Sequence, residues 1–541
     1  MSTISPPAKK IYLFDTTLRD GAQAESVAFT LEDKVQIFHL LDDFGVDYVE
    51  CGWPSSNPKD MEFFSRLKTT KRKKAKVTAF GSTRHPKNEA KQDANLIQLV
   101  KTQADVVCIF GKTWDFQVTQ ALNISLEENL DLIFDSIVFL KKHFSEVVFD
   151  LEHFFDGYKA NFSYSEKILK VATQAGADFL VFCDTNGGTL PWEVEGIITS
   201  LQPKLEKPFG IHAHNDCELA VSNSLSALKL GATMVQGTIN GFGERCGNAN
   251  LVSILANAQI KMGFSLVSKE QMQKLTFLSH SVAEIANLGD VSHQPFTGKS
   301  AFAHKGGIHV SAVNKNPSTY EHINPVEVGN SRRVLISELS GNSNFVTKFH
   351  ELGLDSFLKH PHFPKTLSKL KELEFQGYAF EGADASFKLF VLEECDCRTD
   401  FFQLISYRIM DEKRNLQENP FSEATVKIKI PQKEEQLFVA EGMGPVDALS
   451  NALKKGLSQS YPELQKLVLV DYKVRILDSQ SGTAAKTRVL ITNHYQNQRW
   501  TTVGLSFDII SASLKSLLDG FQFLLLELNS QKENERMQSV V

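Results

Sequence analysis

A chain of 541 residues is longer than one ordinary hydrophobic core supports, so two or more domains are expected. An apolar content of 42% and a charged content of 23% are those of a soluble globular protein, not of a fibrous or disordered chain. A formal net charge of −6 excludes the basic footprint of a nucleic-acid partner.

The first part of the chain alternates strand-like and helix-like segments with a regular beat. Four strands are predicted at "IYLFD" (11–15), "VDYVECG" (46–52), "KVTAFG" (76–81) and "DVVCIFG" (105–111). Four more follow at "EVVFDLEH" (146–153), "FLVFCDT" (179–185), "FGIHAH" (209–214) and "MVQGTING" (234–241). Between them lie stretches such as "TLEDKVQIFHLLDDFG" and "LEENLDLIFDSIVFLKKHF", whose apolar residues recur at i, i+3 and i+4. Eight strands each followed by a helix in about 250 residues is the arithmetic of a (β/α)8 TIM barrel. A doubly wound sheet is the alternative, but strand one lacks a Gly-rich dinucleotide turn.

The beat stops after residue 263, so residues 1–263 are expected to form the catalytic barrel. Residues 264–385 read as a mainly helical linker region with loops around "HQPFTGKSAFAHKGGIHVSA" and "NKNPSTYEHINP". Residues 386–541 change character again. Strand-like "FQLISYRI", "EATVKIKI" and "EQLFVAEG" lead into the amphipathic "PVDALSNALKKGL". The order then recurs in "KLVLVDYKVRIL", "TRVLITNHY", "RWTTVGLS" and "DIISASLKSLLDGF". That is an α+β module of two βββα units, suited to binding a small molecule or to dimerisation.

The basic run at Lys68–Lys74 is read as a solvated helix end. Seven scattered cysteines, with only Cys395 and Cys397 close together, fit a reducing compartment and no structural zinc site. "MSTISPPAKK" lacks the apolar core of a signal peptide, and no apolar run is read as approaching a membrane span. A cytoplasmic protein with no membrane partner is expected.

In a TIM barrel the active site lies at the C-terminal ends of the strands, so functional side chains should crowd there. Strand one ends in "DTTLRDG", bringing Asp15, Arg19 and Asp20. Strand five ends in Glu152 and His153, strand six in Asp184 and Thr185, and strand seven in His212 and His214. Strand eight runs into "GFGERCGN", with Glu244, Arg245 and Asn248. Residues i and i+2 of a strand share a face, so His212 and His214 point at one volume. As a core pair each ring would need its own buried partner, whereas one metal ion satisfies both. Asp20 is the natural third ligand and the Asn248 side-chain oxygen a fourth. Such a mixed set suits Mg2+, Mn2+, Co2+ or a catalytic Zn2+ acting as a Lewis acid. Arg19, next to a ligand, is placed to stabilise oxyanion charge.

These residues resemble a known family, the α-isopropylmalate, homocitrate and citramalate synthases, which are metal-dependent acyltransferases. "LRDGAQAESVAFTLEDK" resembles its first signature, L-R-D-G-x-Q followed by ten residues and a lysine, and "HAHND" resembles its second. "GFGERCGN" is similar to its strand-eight loop, and the helical linker and C-terminal regulatory domain of βββα units extend the resemblance over nearly the whole chain. Within the family, "YVECGWPSSNPKD", "FDLEHFFDGYKAN", "FCDTNGG" and "GYAFEGADASFKL" are most similar to the citramalate synthase branch. Glu218 stands where the broader family has glycine, and "ELAVSNSL" belongs with that branch.

The resemblance implies a Claisen-type condensation of acetyl-CoA with pyruvate, which would chelate one divalent ion beside Asp20, His212, His214 and Asn248. It further implies that Thr185 hydrogen-bonds the pyruvate carboxylate. By position His309 matches a linker histidine that abstracts the acetyl proton, Glu152 its carboxylate partner and Tyr320 a tyrosine near the same site. His304 is left as structural. The C-terminal module is implied to bind an end-product amino acid, here isoleucine, in a homodimer. The close rival is a 2-isopropylmalate synthase acting on 2-oxoisovalerate. A lyase of the same fold would need a catalytic cysteine in a glycine-rich loop that "GFGERCGNAN" does not reproduce, so Cys246 is expected to be dispensable.

Overall fold

In a computed structural model the protein is described over residues 10–289, 291–335, 342–380, 382–412, 421–477, 484–496 and 498–538. It divides into two compact units. The first runs to Phe302 and adds Glu321–Arg332; the second takes Ala303–Tyr320 and Arg333–Val541.

The first unit is a closed eight-stranded parallel barrel in sequential order. Its strands are β1 (Tyr12–Asp15), β2 (Tyr48–Gly52), β3 (Lys76–Ser82), β4 (Val106–Lys112), β5 (Glu146–Glu152), β6 (Phe179–Asp184), β7 (Phe209–Ala213) and β8 (Met234–Gly237). All eight predicted strands are present. The largest difference is at β8, which stops four residues early because Thr238–Gly241 turns over the strand end, with Asn240 at φ 62°.

Around the barrel lie α1 (Leu31–Phe44), α2 (Pro58–Leu67), α3 (Ala94–Thr102), α4 (Leu126–Lys141), α5 (Phe162–Ala175), α6 (Pro191–Leu201), α7 (Ala220–Lys229) and α8 (Leu251–Ala256). Their ends follow local chemistry. Thr30 and Ser125 close reciprocal capping boxes with Asp33 and Glu128, satisfying donors that the first helical turn leaves open. Gly45 ends α1 at φ 96°, a conformation that favours glycine.

Alternation along the strands splits the core in two. Phe14, Tyr48, Phe80, Val106, Cys108, Val148, Val181 and Met234 fill the barrel interior. Leu13, Val49, Val107, Phe149, Phe182, Ile211 and Val235 face the helices. This parity decides which polar residues near the strand ends reach the barrel mouth.

The basic run begins at the C-terminal cap of α2 and its cations are exposed, as expected of a solvated helix end. Beyond α2 the backbone N–H groups of Lys73, Lys74 and Ala75 all donate to the Asp42 carboxylate at 2.7–2.8 Å. Arg72 pairs with Asp105, Lys73 with Asp43 and Lys74 with Asp47.

The second unit contains α10 (Gly307–Lys315), α11 (Asn342–Glu351), α12 (Phe363–Gln376) and α13 (Asp384–Glu394), while α9 (Leu275–Ile285) belongs to the first unit. The doubled βββα pattern is present. β9 (Gln403–Glu412), β10 (Phe421–Lys429) and β11 (Gln436–Gly442) form one antiparallel sheet backed by α14 (Pro445–Leu457). β12 (Val468–Ile476), β13 (Thr487–Tyr495) and β14 (Gln498–Ser506) form the second, backed by α15 (Ile509–Gln538). Ala424, Val426 and Ile428 of β10 pack with Leu449 and Leu453 of α14, as Val489 and Ile491 of β13 pack with Leu517 and Phe521 of α15.

One helix departs from the sequence reading. Ile509–Lys532 is long and apolar enough to cross a membrane by length and composition. Sixty-one per cent of that span's most apolar window is buried within the protein, so the apolar length of the helix serves as core.

Candidate active site

The turn after β1 is built by its own side chains. Asp15 falls on the outward parity and binds Thr17 through both its backbone N–H (2.9 Å) and its hydroxyl (2.8 Å). The Thr17 hydroxyl oxygen in turn accepts the N–H of Ile239, tying this turn to the β8 loop. Burial pushes the Asp15 carboxyl up to about 7. Asp15 is therefore scaffold, and the residues it delivers to the barrel mouth are Arg19 and Asp20.

Asp20, His212 and His214 converge, with one donor atom from each lying within 4.8 Å of the others. His212 Nε2 is 3.4 Å from Asp20 Oδ2 and 3.3 Å from His214 Nε2, and all three residues are buried. Asn248 reaches the same end of the barrel through a bridge that pairs it with His214. Its Nδ2 donates to the Phe242 carbonyl at 3.0 Å, which leaves Oδ1 buried with no partner. A Cβ at Gly243, where φ is 151°, would collide with that amide. The sequence-predicted ligand residues are thus brought to one place.

Whether these residues fit a cation can be tested on their hydrogen bonds. His212 Nδ1 is 2.9 Å from Gln236 Oε1, an acceptor that suits a proton on Nδ1, and with the proton there Nε2 carries a lone pair. That lone pair faces a second imidazole nitrogen and a carboxylate, beside an orphaned amide oxygen. Arg19 meets one oxygen of Asp20, and in that tautomer a positive ion is what satisfies the remaining buried acceptors. Burial opposes charge on Asp20, but the Arg19 guanidinium beside it holds its carboxyl well below the usual range. Burial holds His214 down to about 4, keeping it neutral and able to ligate. The residues fit a divalent metal.

Arg19 is locked beside this cluster. Its Nε lies 2.5 Å from Glu50 Oε2, an Nη lies 3.4 Å from Asp20 Oδ2, and its guanidinium stacks on Phe80 at 3.6 Å. Burial pushes Glu50 up to about 7 against the pull of Arg19. Arg19 itself stays protonated, because Glu50 and Asp20 outweigh its burial.

Thr185 follows β6, and its hydroxyl oxygen accepts the His153 N–H at 2.8 Å, leaving the hydroxyl proton free to donate. Arg245 holds this loop from its far side, with Nη2 2.8 Å from the Thr185 carbonyl and a paired contact to Asp216 at 2.7 and 2.9 Å. Glu152 pairs with Lys112 at 2.6 Å. His153, at φ 56°, is engaged by Gln117 and Asp156. Asp184 lies on the outward parity and binds Thr189 (2.8 Å) and Asn223 (3.4 Å), so it shapes the loop and does not enter the mouth. His309 and Tyr320 lie in the second unit, where their rings stack at 4.1 Å with both residues exposed. His304 is buried and its backbone pairs with Val334.

Sequence reading missed Glu50, Lys112, Asp150 and Gln236. Their signal was a polar residue at an inward position inside an apolar strand, where burial without a partner is costly.

A family model described as HMGL-like matches residues 10–282. Models described as homocitrate synthase post-HMGL domain-like and LeuA allosteric (dimerisation) domain match residues 296–377 and 381–525. An (R)-citramalate synthase from Geobacter sulfurreducens is 51% identical over 95% of this chain and 97% of its own. The chain belongs to the citramalate synthase family. Another relative, the (R)-citramalate synthase of Aquifex aeolicus, is 49% identical over 96% of this chain and 98% of its own. The 2-isopropylmalate synthase of Methanocaldococcus jannaschii is further off, at 30% identity over 95% of each chain.

Two signature positions of the family gain a physical reason here. Lys34 is buried and pairs with Asp60 at 2.6 Å, and Asp60 also accepts the Trp53 N–H, so the lysine fixes the loop after β2. Glu218, where the broader family has glycine, sits at φ 59°, a conformation that favours glycine.

Proposed function

We propose that this chain condenses acetyl-CoA with pyruvate and hydrolyses the thioester, giving (R)-citramalate and CoA on the threonine-independent route to isoleucine. Likeness along nearly the whole chain to five (R)-citramalate synthases, at 42–51% identity, carries this reading. The convergent Asp20, His212 and His214, with Asn248 bridged to His214, would hold the divalent ion the chemistry needs.

A divalent ion held there, Mn2+, Mg2+, Co2+ or Zn2+, would polarise the keto group of pyruvate as a Lewis acid. Arg19, held by Glu50 and Phe80, directs its remaining N–H groups to the oxygen where negative charge develops. Thr185 donates its hydroxyl proton to the pyruvate carboxylate. His309 takes a proton from the acetyl methyl group and Tyr320 stacks on its ring, with Glu152 assigned to the same step by the family resemblance. The enolate carbon then attacks the keto carbon, and water cleaves the thioester to release CoA.

The proposal extends to the rest of the chain. Residues 264–385 complete the active site, and residues 386–541 form a regulatory domain that binds isoleucine and joins two copies in a cytoplasmic homodimer. The test is CoA release from acetyl-CoA with pyruvate, 2-oxoisovalerate or 2-oxoglutarate, each with and without isoleucine or leucine. Pyruvate should be the fastest acceptor and isoleucine the inhibitor. Faster turnover with 2-oxoisovalerate would instead make the chain a 2-isopropylmalate synthase.

A further inference from the structure

The two histidines of the cluster are held differently. His212 Nδ1 lies 2.9 Å from Gln236 Oε1, and Gln236 Nε2 donates to Asp150 Oδ1 at 3.0 Å. All three residues are buried and lie on strands of the barrel, on β7, β8 and β5. Cys108 of β4 also contacts the Asp150 carboxyl. The Nδ1 of His214, in contrast, is buried with no partner.

A neutral imidazole carries one proton, and the nitrogen that bears it cannot bind a metal. For His212 both placements find an acceptor. On Nδ1 the proton is given to Gln236; on Nε2 it would be given to Asp20 Oδ2, 3.4 Å away. The second choice would cap the ligand atom of His212 and engage that of Asp20 together. An amide can face either way, and alone Gln236 could present its NH2 to the ring and enforce that choice. Asp150 Oδ1 removes this freedom, because it accepts from the NH2 end and leaves the carbonyl for His212.

We propose that Gln236, aimed by Asp150, is the positioning residue that keeps the His212 proton on Nδ1 and so leaves both His212 Nε2 and Asp20 free for the ion. This rests on reading the cluster as a metal site. No corresponding device holds His214, which makes it the more loosely oriented of the two rings.

The test is Co2+ binding to the full-length protein, followed by its visible absorption, with ring nitrogen shifts of ion-free protein read by 15N NMR at alkaline pH. Gln236→Met keeps the volume but removes the acceptor, and weakens Co2+ binding about 10- to 100-fold. Gln236→Glu restores an acceptor and binds within about threefold of the parent. A space-filling role predicts the reverse order, since methionine suits an apolar core and a second buried acid beside Asp150 does not. The inference is overturned if Gln236→Met binds Co2+ like the parent, or if Gln236→Glu is the weaker variant. Should the variants fail to fold, the parent decides alone. A His212 that carries its proton on Nε2 in ion-free protein contradicts the device, and one on Nδ1 supports it. Absence of any Co2+ binding in the parent with the Nδ1 proton in place would sink the metal reading and leave the positioning geometry standing.

Discussion

Replacing Glu50 with leucine offers a quantitative test of how Arg19 is held. The two groups touch at 2.5 Å, with the Glu50 side chain 0% and the Arg19 side chain 13% exposed. Their gross attraction at an effective dielectric of about 20 is roughly 6–7 kcal/mol. Removing two such charges from water costs several kcal/mol per ion, so the intact pair nets close to zero. Breaking it is different, because Glu50→Leu leaves a buried guanidinium facing Phe80. The usual cost is about 3–5 kcal/mol. Asp20, 3.4 Å from the guanidinium, recovers part of this and sets the expected loss near 3 kcal/mol. The double variant Arg19→Leu/Glu50→Leu removes both charges and should fall within about 1 kcal/mol of the parent in stability while losing turnover. With Trp114, Trp192 and Trp500 replaced by phenylalanine in every variant, urea unfolding followed by Trp53 fluorescence reads the barrel locally, since that ring packs against Phe80 and Phe110. A single variant costing under about 1 kcal/mol, or a double variant as unstable as the single, would refute the buried-pair account.

Other consequences follow from particular residues. Gly243→Ala drives a methyl group into the Asn248 amide at a backbone angle of 151°, and should weaken Co2+ binding about tenfold while leaving CD spectra unchanged; parental affinity would count against Asn248 as a ligand. Gly504→Val collides with the Ala512 carbonyl in the second unit, so it should lower that unit's unfolding midpoint yet leave Co2+ affinity alone, and equal losses in both would refute this separation. Asp93 is partly buried, which opposes its charge, but N–H groups of His85, Asn88 and Leu96 hold its carboxyl below the ordinary range. Its stabilisation is therefore complete above the unfolded value of about 4 and is lost as pH falls through the folded one. The stability gap between the parent and Asp93→Asn, about 1 kcal/mol at neutral pH, should shrink in acid; a gap independent of pH would contradict it.

The barrel was legible because its parallel strands are apolar runs at regular spacing, and each predicted strand overlaps one that forms. The doubled βββα module was legible from period-2 alternation, as in "EATVKIKI", whose even positions are the buried ones. The ligand set was equally open to reading, since His-x-His at a strand end puts two rings on one face. Proximity to a strand end was a poorer guide for Asp15 and Asp184. Both lie one residue out of phase with the barrel interior, and each is consumed by a neighbouring threonine. The supporting residues were hidden for the opposite reason. Glu50, Asp150 and Gln236 stand inside strands, and their partners come from other strands or the turn after β1, 24 to 86 residues away. The apolar length of α15 resembled no span on inspection, yet its composition suits one; burial against its own sheet is what distinguishes it as core.

The central claim is that Asp20, His212, His214 and Asn248 hold one catalytic divalent ion. It is tested most directly by stripping the full-length protein with a chelator, restoring Mn2+ by titration, and following bound metal and pyruvate-dependent CoA release together. The account predicts one ion per chain, activity that vanishes on stripping and returns in step with that ion, and loss of both in His212→Ala. Turnover that survives chelation, or a His212→Ala variant with parental metal content and activity, would contradict it.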